Sequence, residues 1–401
     1  MAETVSGSHY QRLHHMLSES AWNRGAVRRQ LIADANAHFG YSSALVIDES
    51  AFAKKGDMSA GVARQWNGRL GKTDNSQVGV FAAVVRDRVA ALVEGELYVP
   101  EDWFADAARC QTAGIPEGVE FCTKGEMALN MIHRLRREGL RFSHVVFDAG
   151  YGHLPWLLRA LDAERETFLA EVHSDQAIYL CNPAPAVPVR QSARGKSPSR
   201  LQAQTPPLRV TDWALAQPAS RWCQLSVREG EKGEVVADYL KQRVWLWDGA
   251  EQRAHCWHLL VRREIDGTKL KFCLANAKPE ASLRRLAEMQ VARHFVERAF
   301  EDAKGACGMA DYQVRGWQAW HHHMALVMVA LMFLAKERLA NRDTADLLSC
   351  NDLIAIMRHK LPTKIKTDAD LVASIEDRHR RRQVAKDSAY KKQAATLSAS
   401  D

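Results

Sequence analysis

The sequence predicts an α/β protein with a mixed β-sheet and helices on both of its faces. Two short apolar runs that each end in an aspartate, residues 45–48 and 145–148, are typical of buried central strands. Stretches with apolar residues at helical spacing, such as residues 124–138, lie between runs of this kind. Strands that alternate with helices along a chain favour a layered sheet covered by helices.

Each element of this pattern follows from the local sequence. Residues 9–39 have the amphipathic spacing of two short helices that are separated near Asn23. Residues 49–76 are polar and rich in Lys and Arg, which predicts a long connection with a functional role. The other elements predicted up to residue 175 are strands at 42–48, 77–85, 89–98, 144–148 and 167–172 and helices at 124–138 and 154–161.

This order of three strands, a helix, a strand, a helix and a strand is that of the ribonuclease H-like fold. Residues 182–208 hold six of the twelve prolines and are predicted to form a loop. Residues 221–275 alternate and are rich in Trp, Val and Leu, which predicts a small antiparallel sheet. Helical spacing returns from Leu283 past Lys304 and again at about 317–339. We therefore predict a β-strand-rich insertion before the closing helix, which would be the final catalytic helix.

The predicted organisation has five parts. They are an N-terminal helical region (1–40), the first part of the ribonuclease H-like core (41–175), a basic loop with the β-rich insertion (176–280), the closing helices of the core (281–345) and a basic C-terminal region (346–401). Tryptophans 222, 245, 247 and 257 are expected in the core of the inserted strands, although one of them could instead stack an unpaired base.

Composition excludes several classes of protein. Hydrophobic residues make up 46% and charged residues 26% of the 401 positions, which excludes a disordered or fibrous chain. The longest apolar run, residues 324–335, is shorter than the ~20 residues that cross a bilayer, so no membrane association is expected. The eight cysteines include no CxxC pair, which argues against a zinc ribbon. Without a recognisable signal peptide, a cytoplasmic, nucleoid-associated protein is expected.

Positive charge is unevenly distributed along the chain. There are 55 Lys and Arg residues against 48 Asp and Glu, for a net charge of +7. Residues 176–211 contain no acid, and residues 378–392 contain a single one among many bases. We interpret both stretches as contacts to a polyanion. The bases of the first stretch assigned to DNA are Arg190, Arg194, Lys196 and Arg200.

Asp48 and Asp148 are candidate metal ligands because each follows a buried strand. For either residue alone, capping of a turn or pairing with an arginine explains the position about equally well. Two such acids at one edge of adjacent central strands favour a divalent-metal site, since Mg²⁺ prefers carboxylate oxygens.

A third acid is expected from the helix that follows the insertion. Arg293, Glu297 and Lys304 lie within about 40° of one another around that helix. Such a face could equally be a solvated row of ion pairs. The neighbouring Phe295 and Phe300 indicate that the helix packs on the sheet, which would bring the polar face to its rim.

Together these segments resemble bacterial insertion-sequence transposases of the DDE type, specifically the 701 group within the superfamily named after insertion sequence four. That superfamily has a Tyr-Arg-Glu-Lys signature, and Arg293, Glu297 and Lys304 match its last three residues. Gln290 stands at the position of its tyrosine. The segments that carry the resemblance are VIDESAFAKKG, VARQWNGRLGKTDNSQVGVFAAVV, VVFDAGYG, REGEKG and FVERAFEDAKGACGMADYQVRGWQAWHHHMAL.

The resemblance implies two-metal DNA strand cleavage followed by strand transfer at the ends of an insertion sequence. Asp48, Asp148 and Glu297 would hold two Mg²⁺ ions, with Mn²⁺ as a substitute, and Arg293 and Lys304 would hold phosphates. Double-stranded DNA, at transposon ends and target, is the expected partner, and a homodimer is expected. Further DNA contacts are predicted at Lys54, Lys55, Arg64, Arg69, Lys72, Lys232, Tyr312, Arg315 and Trp317. The alternative is a host-adopted descendant that binds DNA, or acts as an effector nuclease subunit, without transposing.

Overall fold

The computed structural model describes residues 9–190, 197–230, 233–265, 267, 269–361 and 367–398. The chain divides into two units, Leu17–Ile354 and the combination of Met1–Met16 with Ala355–Asp401. The larger unit is a mixed α/β structure with one large sheet and flanking helices. Within the described ranges, no helix has the length and apolar character needed to span a membrane.

Along the described residues two helices come first, two blocks of four consecutive strands follow with helices and shorter strands between them, and four helices come last. The strands are β1 (Ala44–Ala53), β2 (Ala63–Asn67), β3 (Lys72–Arg86), β4 (Val89–Tyr98), β5 (His144–Phe147), β6 (Phe168–Val172), β7 (Ala177–Ile178), β8 (Leu208–Arg209), β9 (Cys223–Gly230), β10 (Gly233–Leu246), β11 (His255–Glu264) and β12 (Leu270–Ala275). The helices are α1 (Tyr10–Ser18), α2 (Arg24–His38), α3 (Glu101–Phe104), α4 (Ala107–Thr112), α5 (Lys124–Arg137), α6 (Ala149–Gly152), α7 (Pro155–Ala163), α8 (Val210–Leu215), α9 (Leu283–Ala306), α10 (Trp317–Ala340), α11 (Cys350–Lys360) and α12 (Asp368–Ser398).

The sheet has the strand order β2-β3-β1-β5-β6-β12-β11-β10-β9, with β4 also paired to β3. Strands β1, β5 and β6 are parallel neighbours, whereas β3 and β4 run antiparallel in a hairpin beside β1. Parallel strands need a crossover, and α5 and α7 provide it for β5 and β6. The central strands are apolar along most of their length because helices, α9 among them, cover them.

Most of the predicted elements are confirmed, including the β3–β4 hairpin and the two long helices α9 and α10. The prediction of a polar connection over residues 49–76 is wrong in part, because β1 continues to Ala53 and β2 pairs with the first residues of β3. Strand β2 lies at the edge of the sheet and alternates exposed with covered side chains, so its composition resembles that of a loop.

The antiparallel strands predicted over residues 221–275 are present as β9–β12, but the prediction that they form a small sheet is wrong. Strand β12 pairs antiparallel with β6, so β9–β12 extend the central sheet. In this block Trp257 is buried and packs edge-on against Phe168 of β6. That contact agrees with the expected core role of Trp257.

One ion-pair network joins α7 to the start of β11 and gives a pH-dependent contribution to stability. His255 bridges two carboxylates, with Nδ1 3.1 Å from Asp162 Oδ2 and Nε2 3.1 Å from Glu251 Oε2. The hydrogen bond with Asp162 is the main reason that the pKa of His255 is raised, while burial opposes the shift. Because the folded pKa exceeds the unfolded value of ~6.5, this stabilisation is complete below that pH and is lost as the pH rises through the folded pKa.

We therefore expect His255→Gln to lower the free energy of unfolding by about 1 kcal/mol at pH 6 and by less at pH 8.5. Urea denaturation at the two pH values measures the difference. The matched control is His133→Gln, which removes a more exposed pair with Glu164 and should change stability little at either pH. An equal loss of unfolding free energy from His255→Gln at both pH values would contradict a stabilising role for the charged His255.

Candidate active site and nucleic-acid interface

Parallel pairing of β1 with β5 places Asp48 and Asp148 beside each other. Ile47 pairs with Phe147, Asp48 is the next residue of β1, and Asp148 directly follows the end of β5. Asp148 caps α6, where its carboxylate accepts a hydrogen bond from the Tyr151 amide at 3.3 Å. The Asp48 carboxylate accepts a hydrogen bond from the Glu49 amide at 2.7 Å. The buried apolar residues before each aspartate fix both positions.

Helix α6, whose N-cap residue is Asp148, packs closely against β6. A Cβ atom on Gly152 would lie 1.8 Å from the backbone oxygen of Glu171, so only glycine fits at this contact. Backbone packing at Gly152 therefore adds to the hydrogen bond from the Tyr151 amide in positioning Asp148.

The aspartate pair is electrostatically strained in the protein without metal. Burial, followed by the negative charge of Asp148, raises the pKa of Asp48 to about 7, and the charge of Arg293 opposes this rise. A buried carboxylate beside a second one is stabilised when a divalent cation is bound between them. The oxygen donors and the raised pKa of Asp48 therefore fit a Mg²⁺ ligand pair.

Arg293 of α9 lies among several acidic side chains. Its Nη1 atom is 3.0 Å from Glu297 Oε1 and 3.8 Å from Glu171 Oε2. Burial lowers the pKa of Arg293, but the charges of Glu171, Asp48 and Glu297 outweigh burial, so that this pKa is raised. Sequence reasoning missed Glu171, although an acid inside the apolar strand β6 was a usable signal.

The third predicted ligand, Glu297, is directed to Arg293 and is 52% exposed. Among the described residues, no group of three or more His, Cys, Asp and Glu side chains is arranged to hold a metal ion. Gln290, at the position of the signature tyrosine, is buried and donates a hydrogen bond to Cys273 Sγ at 3.2 Å. The structure thus brings Asp48, Asp148 and Arg293 together and places Glu297 beside Arg293.

A cleft of about 720 Å³ opens at the aspartate pair, and we call it the carboxylate cleft. Tyr151 is buried in its wall, where burial and then the charges of Glu49 and Asp148 raise the pKa of this phenol well above its ordinary value. Glu49 forms an ion pair with Lys124 at the same wall. The residues that line the cleft with polar or aromatic groups are Asp48, Glu49, Trp66, Tyr98, Thr123, Lys124, Asp148, Tyr151, His153 and Trp156.

A second pocket of about 500 Å³ shares Ala51 with the carboxylate cleft, and we call it the basic pocket. It collects six of the predicted DNA-binding or phosphate-binding residues, and no carboxylate lies among its described lining side chains. Burial, and next the charge of Arg69, lowers the pKa of Lys304. This accumulation of positive charge suits the phosphates of a nucleic acid. The six residues are Lys54, Lys55, Arg69, Lys304, Tyr312 and Arg315.

Two of these six residues support the wall of the basic pocket. Lys54 donates a hydrogen bond to the Tyr312 backbone oxygen at 3.2 Å, and its ammonium group lies 4.2 Å from the centre of the Tyr312 ring. Tyr312 itself is buried. The exposed cations Lys55, Arg69 and Arg315 are therefore the side chains most open to a ligand.

The remaining predicted DNA contacts lie elsewhere. Arg64 and Lys72 are exposed on the β2–β3 hairpin, where Lys72 is 3.1 Å from Asp74. Trp317 is half-buried beneath Arg24 and against His321. Arg190 and Arg200 are exposed within the proline-rich stretch, whereas Arg194, Lys196 and Lys232 lie outside the described residues.

Comparison with known proteins identifies the family. The family described as DDE superfamily endonuclease matches residues 1–234, a range that includes both aspartates. A probable transposase for insertion sequence element IS701 from Microchaete diplosiphon is 33% identical over 155 residues, which cover 38% of this chain and 37% of that protein. The match thus spans little more than a third of the relative's length. On the family match, the chain belongs to the DDE superfamily endonucleases.

Proposed function

We propose that the protein is a metal-dependent DDE transposase that cleaves DNA at the ends of an insertion sequence and transfers the cut strand to target DNA. One observation carries this proposal, namely that the half-buried pair Asp48 and Asp148 adjoins the basic pocket. Carboxylates that suit Mg²⁺ beside cations that suit phosphate are the two requirements of phosphodiester chemistry.

The strand order supports a ribonuclease H-like core. Strands β4-β3-β1-β5-β6 follow one another across the sheet, and α9 packs on them. We propose that residues 41–175 and 281–345 form this core and that residues 176–280 are an insertion into it. The regions 1–40 and 346–401 would then be the N-terminal helical and basic C-terminal parts.

Asp48, Asp148 and Glu297 would hold two Mg²⁺ ions, for which Mn²⁺ would substitute. When bound, the ions would activate a water or DNA 3′-hydroxyl and stabilise charge on the leaving oxygen. Glu297 would complete this ligand set by leaving its 3.0 Å pair with Arg293. That movement would free the guanidinium of Arg293 to hold a phosphate with its two parallel donors.

The other residues of the site would position DNA. Lys304, Lys55, Arg69 and Arg315 would neutralise successive phosphates along the basic pocket. We propose double-stranded DNA at transposon ends and target as the partner, and a homodimer that pairs two ends. The family match and the transposase relative do not favour the alternative of a host-adopted descendant.

The direct test is incubation of purified full-length protein with a plasmid that carries its gene and the flanking genomic DNA. We expect Mg²⁺ or Mn²⁺ to support strand breaks at the element ends and joined products, and a chelator to stop both. Breaks without any joined product would support the host-adopted alternative instead. Absence of breaks with either metal would contradict the proposal.

Replacing Lys55, Arg69 and Arg315 together by Ala should weaken DNA binding and reduce its dependence on salt. Each lost phosphate contact removes about 0.9 from the slope of log affinity against log salt, so a reduction of about 2.5–3 is expected. Fluorescence anisotropy with a labelled duplex across salt concentrations measures this slope. Lys54 stays unchanged because it supports the pocket wall.

The control for this charge change is a triple variant of exposed arginines that lie outside the basic pocket. The control variant should keep the slope of log affinity against log salt close to that of the unaltered protein. An unchanged slope in the variant of Lys55, Arg69 and Arg315 would instead show that the basic pocket does not bind DNA. The control positions are Arg137, Arg141 and Arg253.

A further inference from the structure

A cavity of about 560 Å³ is lined by the first half of α9 and by the turn that joins β3 to β4, and we call it the arginine cavity. Ala44 and His144, the first residues of β1 and β5, also line it. Asp48 lies four residues beyond Ala44, which is roughly 13 Å along the strand. In the described part of the chain, the cavity shares no lining residue with the carboxylate cleft or the basic pocket. It is therefore a separate feature that DNA cleavage at the aspartates does not explain.

The cationic side chains in the described lining of this cavity are all arginines, namely Arg86, Arg88 and Arg285. Arg86 is fixed in place because its guanidinium donates hydrogen bonds to the backbone oxygens of His38 and Phe39, each at 3.2 Å. Arg88 and Arg285 are exposed. A guanidinium binds a phosphate through two parallel donors and also stacks on a planar ring, whereas an ammonium group acts as a point charge. The cavity therefore suits a phosphate that is attached to a planar group.

The imidazole of His144 carries a hydrogen-bonding group that is not satisfied within the protein. Its Nδ1 atom is 2.7 Å from Ser143 Oγ and 3.5 Å from Arg285 Nη2. Because a guanidinium can only donate, Nδ1 accepts and Nε2 carries the ring hydrogen. Burial, and next the charge of Arg285, lowers the pKa of His144 to about 3, so the ring is neutral at pH 7. Among the described residues Nε2 has no hydrogen-bond partner, although it is buried. An acceptor oxygen at the inner end of the cavity would remove this cost.

Two carboxylates also line the cavity, and neither opposes an anionic ligand strongly. Asp87 forms an ion pair with Arg342 Nη1 at 2.6 Å, which offsets its charge. Glu288 is exposed on α9, three residues after Arg285. A carboxylate at this position suits the hydroxyl groups of a sugar, as in the ribose sites of dinucleotide-binding proteins.

The rest of the described lining is mainly apolar. Val291, Ala292 and Phe295 are buried on one face of α9, and Val227 of β9 is half-buried. A bare phosphate ion would leave this wall in contact with water, whereas a base would cover it. The volume of the cavity lies within the range of about 300–1,000 Å³ that is typical of small-molecule sites.

We propose that the arginine cavity binds a free nucleoside monophosphate, with the phosphate at Arg285 and Arg88 and the base on the apolar wall that includes Phe295. Glu288 would accept hydrogen bonds from the ribose hydroxyls, and a ligand oxygen would accept one from His144 Nε2. The 5′-phosphorylated end of a DNA strand has the same phosphate and base, but it lacks the 2′-hydroxyl. The inference does not rest on the proposed function, because nucleotide binding at this cavity needs neither DNA nor the aspartate pair.

The test is isothermal titration calorimetry of the full-length protein with AMP in chelator, which keeps divalent cations from the aspartate pair. We expect one AMP per chain, bound at least about tenfold more tightly than inorganic phosphate or adenosine, since each of those lacks part of the ligand. Arg285→Gln and Arg88→Gln should each weaken AMP binding by about 10- to 150-fold, because each removes a hydrogen bond to a charged group. Both side chains are exposed, so neither change should disturb the fold.

Three control variants assign the binding to this cavity. Arg137→Gln removes an exposed arginine outside the cavity and should leave AMP binding unchanged. The triple Ala variant of Lys55, Arg69 and Arg315 should also retain AMP binding, because it alters only the basic pocket. Glu288→Gln should weaken binding of AMP more than that of dAMP, which lacks the 2′-hydroxyl.

Three results would overturn the inference. They are the absence of AMP binding, equal binding by Arg285→Gln and the unaltered protein, and a loss of binding confined to the variant of the basic pocket. Displacement of AMP by a 5′-phosphorylated oligonucleotide, but not by its 5′-hydroxyl counterpart, would show that a DNA end occupies the cavity. That result would also overturn a free nucleotide as the occupant.

Discussion

Replacing Asp48 by Asn is expected to abolish Mg²⁺-dependent DNA cleavage and to stabilise the protein without metal. Loss of a metal ligand removes several kcal/mol of transition-state stabilisation, which corresponds to a rate lower by at least about 10³-fold. The stabilisation arises because Asn carries no charge beside Asp148 in the buried site. A cleavage assay and thermal unfolding with and without Mg²⁺ measure the two effects.

The stabilising effect of Asp48→Asn should depend on pH in a defined direction. The pKa of Asp48 is raised to about 7 in the folded protein, above its unfolded value. The stabilisation that the protonated Asp48 contributes is therefore present below pH ~4 and is lost as the pH rises to about 7. The gain from Asn should grow over that interval and be largest at pH 8.

Asp175→Asn provides the control, because Asp175 is exposed and lies outside the carboxylate cleft. It should change neither the cleavage rate nor the unfolding temperature. Cleavage at the unaltered rate by Asp48→Asn, or full Mg²⁺ stabilisation of that variant, would rule out Asp48 as a metal ligand.

Replacing Glu297 by Gln is expected to eliminate strand cleavage with the fold retained, while Glu301→Gln leaves cleavage within a few-fold. Glu297 is next to Arg293 at 3.0 Å, within the charged group that contains the aspartate pair. Glu301 is one turn further along α9, where it is 71% exposed and 3.6 Å from Arg298. Exposed pairs of that kind contribute less than about 1 kcal/mol.

Cleavage rates and circular dichroism of the two variants decide between the two glutamates. Because Gln keeps the size of Glu and removes its charge, a loss of cleavage with an unchanged spectrum reports the charge itself. The reverse pattern, with Glu301→Gln inactive and Glu297→Gln active, would show that the catalytic acid of α9 lies one turn further along the helix, at Glu301. Arg293 and Lys304 would then lose their proposed roles.

The central elements were predictable because their signals are local. The runs before Asp48 and Asp148 are buried on both faces, so their apolar character was visible without knowledge of their partners. Hydrophobic spacing likewise predicted α9 and the β3–β4 hairpin. The proximity of the two aspartates then followed from the parallel pairing of their strands, although β1 continues past Asp48 to Ala53.

Other features depend on contacts between residues distant in the sequence. The pairing of β12 with β6 joins residues about a hundred positions apart, and no local pattern distinguishes it from a separate sheet. Strand β2 was missed because Arg64 and Trp66 give it the composition of a loop. The contact of Arg293 with Glu171 likewise depends on how α9 crosses the sheet, which spacing along the helix does not specify.

The hydrogen bonds between β6 and β12 also limit how this protein can be divided for engineering. A shortened chain that omits residues 177–275 would leave one side of β6 without a partner strand. Phe168, Leu169 and Ala170 are buried in β6, so the exposed edge would be apolar and open to pairing with another molecule. Exchange of β9–β12 between related proteins would need to preserve the residues of β12 that pair with β6, because the junction is part of the sheet and not a linker.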